Sequence, residues 1–79
     1  LPKMDKFLKE KDANNYAILA HAMKSDSKYL GFKKLAELSL NHELEGKNNN
    51  IEYLENNYEE LMTEVDRIID IVKKYLGGN

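Results

Sequence analysis

The stretch IEYLENNYEELMTEVDRIIDIVKKYLG, residues 51–77, carries the clearest periodicity in the chain. Ile51, Leu54, Tyr58, Leu61, Val65, Ile68, Val72 and Tyr75 alternate spacings of three and four without a slip, the signature of one buried helical stripe. Met62, Ile69 and Leu76 widen that stripe to the breadth of a core-facing bundle helix. Asn49, followed three residues later by Glu52, resembles a capping box with Asn in place of Ser or Thr, and Gly77 ends the pattern. At about 1.5 Å per residue such a helix is on the order of 40 Å long and needs other helices to cover its apolar side.

Those partners lie upstream. Phe32 to Glu45 reads as a helix with Leu35, Leu38 and His42 on one face and Gly46 as its stop; Leu40 and Leu44 fall off that stripe and hint at a second apolar contact. Ala13 to Leu30 reads as another, capped by Asp12 and punctuated by Gly31, with Tyr16, Leu19, Ala20, Met23, Ser27 and Leu30 as its buried stripe. A first short segment, Pro2 to Lys11, places Met4, Phe7 and Leu8 at helical spacing. The expected fold is all-α: an up-and-down helical bundle whose first helix is short.

Composition narrows the function. Seventy-nine residues make one domain, 1–79, with only a modest core. Hydrophobic residues at 42% and charged residues at 33% fit a soluble helical bundle, and a net charge of -2 argues against nucleic acid as a partner. The absence of cysteine excludes a disulfide framework and a thiolate metal site. No apolar run approaches the roughly 20 residues needed for membrane insertion, and the expected location is cytoplasmic. The chain opens on Leu1-Pro2 and closes on Gly77-Gly78-Asn79, which reads as a piece of a longer protein.

The polar side of the second helix holds the candidate chemistry. His21, Lys24 and Lys28 fall at i, i+3 and i+7 and so form one line. Ala17 and Ser25, a turn to either side of His21, are small enough to leave an imidazole reachable by another protein. A neutral imidazole is a nucleophile, and neighbouring ammonium groups offset the charge of a phosphoryl group placed on it. Ala22 and Tyr29 complete the expected docking face around His21. His42, on the apolar stripe, reads as a core or boundary histidine hydrogen-bonded locally. Glu43 reads either as a surface acid or as a hydrogen-bond partner near the site, and Lys33 and Lys34 as a solvated face or a weak receiver-docking patch. A zinc site built on His21 and His42 lacks the remaining ligands.

The run Ala20-His21-Ala22-Met23-Lys24-Ser25-Asp26-Ser27-Lys28-Tyr29-Leu30-Gly31, with Leu35 four residues on, resembles the signature of histidine-containing phosphotransfer (HPt) domains. Leu38, His42-Glu43 and Gly46-Lys47 look like that family's third helix and the loop after it, and the likeness spans roughly Tyr16 to Leu76. It departs at Ser25, where many members carry Gly, and at the first helix, which in the family is full-length. The resemblance implies an HPt-like four-helix bundle in which His21 accepts a phosphoryl group from the aspartate of a response-regulator receiver domain and passes it to another receiver. Lys24 and Lys28 would stabilise the transferring charge. It implies a carrier rather than an enzyme, with no cofactor of its own and Mg²⁺ supplied by the receiver, from a longer signalling protein such as a hybrid sensor kinase. The shortened first helix implies apolar surface that favours a homodimer or helix exchange. The competing expectation is a non-catalytic helical interaction module, which needs no reactive histidine.

Overall fold

The computed structural model describes residues 2–77; Leu1, Gly78 and Asn79, the ends of the expected 1–79 domain, lie outside the described residues. Four helices follow in order: α1 (Pro2–Lys9), α2 (Ala13–Leu30), α3 (Lys33–Lys47) and α4 (Ile51–Gly77). They form the expected all-α, up-and-down bundle, and the described residues contain no strand. Among the described residues, no helix is long and apolar enough to cross a membrane.

The three turns share one device. Lys11 (φ 56°), Gly31 (φ 85°) and Asn49 (φ 57°) each take a left-handed conformation just past a helix. The next residue's N–H then reaches back over the last turn: Asp12 to Phe7 at 2.8 Å, Phe32 to Ser27 at 2.8 Å, and Asn50 to Glu45 at 2.9 Å. This double closure satisfies orphan carbonyls and reverses the chain within a few residues. Two expectations shift because of it. Gly46 does not stop α3, which runs on through Lys47; Asn49 stops it. The cap of α4 moves from Asn49 to Asn50, whose side-chain oxygen accepts from the Tyr53 N–H at 3.2 Å, because Asn49 is already engaged in ending α3. Asp12 caps α2 as expected, accepting from the Asn15 N–H at 3.2 Å.

The core is built from Met4, Leu8, Tyr16, Ala20, Leu35, Leu54, Leu61, Val65 and Ile68. The tightest pairing in the bundle is α2 with α3, where small residues set the distance. A Cβ added to Gly46 would lie 3.0 Å from the Ala17 Cβ and 3.2 Å from the Ala13 carbonyl oxygen, so the two backbones nearly touch. The buried face of α3 is therefore Leu35, Ala36, Ser39, His42, Glu43 and Gly46, whereas Leu40 and Leu44 are exposed. The close approach of α2 and α3 is marked by Ala, Ser and Gly rather than by leucines. Leu30, expected in the α2 stripe, is exposed as well, as are Tyr75 and Leu76 near the end of α4.

Candidate functional site

His21 and Lys24 project from α2 towards Glu43 of α3. His21 Nδ1 lies 2.7 Å from Glu43 Oε2. Lys24 Nζ lies 2.9 Å from Oε1, off the ideal hydrogen-bond direction, and Lys47 Nζ lies 3.0 Å from Oε2. One carboxylate thus gathers an imidazole and two ammonium groups. The Glu43 side chain is only 3% exposed, while that of His21 is 58% exposed.

The position of Glu43 follows from the close approach described above. Ala36, Ser39, Glu43 and Gly46 recur at spacings of three and four, so Glu43 sits on the strip of α3 that is pressed against α2. A buried carboxylate without partners would be costly, and here three cationic or donor groups meet it. Lys24 foremost, then Lys47, with a smaller share from His21, hold its carboxyl down to about 2, against the burial that alone would raise it. It is an anion at any pH near neutrality.

That fixes the tautomer of His21. An ionised carboxylate only accepts, so Nδ1 carries the proton and donates it to Glu43. The lone pair of the neutral ring is then on Nε2. A recess of about 260 Å³ lies beside the ring, lined by Asn14, Ala17, Ile18, His21, Glu43 and Lys47.

The remaining expected site residues are spread differently. Ala22 and Ser25 are exposed beside His21, and Lys28 is exposed two turns along, about 10 Å down the helix axis. Tyr29 is 90% exposed and packs against no neighbouring face. Ala17 is only 3% exposed: its Cβ is spent on the contact with Gly46, so it reaches the surface only at the floor of the recess. Of the two readings of Glu43, the structure takes the hydrogen-bond partner and not the surface acid, and Lys47, expected in a loop, extends from the last turn of α3.

His42, one residue before Glu43, points the other way. It is buried in the core as expected, with Nδ1 at 2.8 Å from the Tyr16 hydroxyl and Tyr53 edge-on at 5.6 Å between ring centroids. Burial pushes the Tyr16 phenol well up, so it keeps its proton and donates to Nδ1, leaving the His42 proton on Nε2. Burial also lowers the pKa of His42, with the Asn57 backbone and Glu60 pulling weakly the other way.

Among the described residues, no group of three or more His, Cys, Asp or Glu side chains converges as a metal site would require. No family model, no curated protein and no solved structure matches this chain.

Proposed function

We propose that this bundle is a phosphoryl carrier of the HPt type, with Nε2 of His21 as the acceptor atom. The observation that carries the reading is the Glu43 carboxylate behind Nδ1 of an exposed histidine. In the reaction the Nε2 lone pair forms the N–P bond as the P–O bond to the receiver's aspartate breaks, and the aspartate leaves as a carboxylate. The product ring keeps its Nδ1 proton and gains a phosphoryl group on Nε2, so positive charge builds on the imidazole. Glu43 is placed to offset that charge from the opposite side of the ring, where it also prevents the ring from presenting the wrong nitrogen.

Lys24 enters this scheme as a positioning residue. Its ammonium is occupied by Glu43 Oε1 and acts on His21 through that carboxylate. Lys28 is the exposed cation on the same helical line that an incoming phosphoryl group would meet. Ala22 and Ser25 leave room for the docking partner, a response-regulator receiver domain, and the Mg²⁺ needed to organise the acyl phosphate belongs to that partner. Relay demands brief contact, which suits a small, weak interface.

The test is transfer from a panel of phosphorylated receiver domains with Mg²⁺, using this chain and its His21→Gln variant. Acid-labile, base-stable label on the wild type that is absent from the variant supports the carrier. A folded wild type that takes label from none of them favours the non-catalytic interaction module.

A further inference from the structure

The end of the bundle beyond α1 is open. An apolar groove of about 730 Å³ runs between α2 and α4, with Leu19, Met23 and Leu30 on one wall and Ile68, Ile69 and Val72 on the other. Met4 and Lys3 of α1 line it as well. At the far end α4 continues past the core. Its apolar spacing is unbroken through Val72, Tyr75 and Leu76, yet Tyr75 is 86% and Leu76 76% exposed. A helix stripe of this breadth ordinarily faces a partner.

We propose that this groove is filled by the protruding end of α4 from a second copy of the chain, in a two-fold dimer with the two α4 helices antiparallel. Two features select that occupant. The groove wall and the protruding stripe belong to one helix, so a single two-fold axis near residues 69–70 covers both grooves with both tails and closes the assembly, whereas any other pairing leaves one of them open. The charges agree with that axis. Asp66 and Lys73 are seven residues apart and flank Ile69 on one side of the helix, both exposed. An antiparallel partner centred between Ile69 and Asp70 brings the same flank of both helices together and sets Asp66 of each copy against Lys73 of the other. The inference does not depend on the phosphoryl-carrier reading, since His21 and Glu43 lie outside the groove.

Sedimentation equilibrium of the chain from roughly 5 to 500 µM is the test, because mass action separates a monomer from a weak dimer over that range. The expected result is a reversible monomer–dimer equilibrium. Val72→Asp should abolish it while circular dichroism keeps the helical signal. Asp66→Lys should weaken it about tenfold or more, and the exchange Asp66→Lys with Lys73→Asp should restore it. A monomer at every concentration overturns the proposal. A dimer indifferent to both Val72→Asp and the charge exchange overturns it too, by placing the interface elsewhere.

Discussion

The two faces of the α2–α3 pair each hold a histidine bonded across the helix interface, and they are set to opposite tasks. On the outer face His21 of α2 donates from Nδ1 to Glu43 of α3, a carboxylate that cannot give a proton back. On the inner face His42 of α3 accepts at Nδ1 from Tyr16 of α2, a phenol that keeps its proton. The same ring therefore offers a lone pair to the outside at one site and buries an N–H at the other. Which nitrogen is available is decided by the group behind the other nitrogen, and neighbouring positions 42 and 43 of one helix supply the two outcomes.

Replacing each histidine breaks this contrast most sharply. His21→Gln should remove all acid-labile phosphoryl label and leave the thermal midpoint nearly unchanged, since the side chain is largely exposed. Loss of folding instead would sink the assignment of a surface nucleophile. Glu43→Gln comes next. The amide can donate as well as accept, so the ring is no longer held to one tautomer, and transfer should slow by roughly tenfold to a hundredfold, as when the outer partner of a functional histidine is lost. An unchanged rate at every pH would mean that the carboxylate only supports the fold.

Gly46→Ala tests the close approach that brings Glu43 to His21. The new methyl meets the Ala17 Cβ and the Ala13 carbonyl, neither of which can swing aside, so overpacking should outweigh the gain in helix propensity. A loss of about 1–3 kcal/mol is expected, read as a lower midpoint in thermal unfolding. A more stable variant would show that α2 and α3 can part without cost.

Acid separates the two faces by where stability is lost. His42 has a lowered pKa in the fold, so its contribution is fully present above about pH 6.5 and falls as the pH drops below that value and the unfolded chain takes up the proton first. Glu43 is likewise depressed, so its contribution is present above pH 4.5 and is lost as the pH falls towards about 2. Urea titrations of His42→Phe should lack the upper window and keep the lower one; loss of the lower one instead would reverse the assignment. The smallest effect is expected from Lys28→Ala, a modest slowing of transfer with no change in stability, because the side chain is exposed and two turns from His21.

The helices were legible in the sequence because apolar spacing and turn residues agree. Ile51 to Gly77 and the Asp12 cap are read directly from the chain. His21 and Lys24 were legible too, through a motif. Glu43 was legible only as one of two readings, a hydrogen-bond partner near the site or a surface acid, because an acid surrounded by polar residues looks solvated until one knows which face of α3 meets α2. The signal that marks it is the small-residue series Ala36, Ser39 and Gly46 at helical spacing with Glu43, facing Ala13 and Ala17. Large apolar residues draw the eye to the core, but small ones mark where backbones come closest. The exposure of Leu30 and of the end of α4 was illegible for another reason: a periodic stripe tells that a face is apolar and not whether this chain covers it.

The tight reversal at Gly31 has a consequence for how the molecule comes into being. It places His21 and Glu43 only 22 positions apart along the chain, on the two arms of one helical hairpin. Every group of the cluster, from His21 to Lys47, is present once that hairpin has closed, before α4 needs to dock. Local connections of this kind are the ones that close quickly, on a scale of microseconds to milliseconds in helical bundles. The cluster therefore belongs to the first unit able to form, and amides of α2 and α3 around Ala17 and Gly46 should be the slowest to exchange their hydrogens, outlasting those of the uncovered last turns of α4.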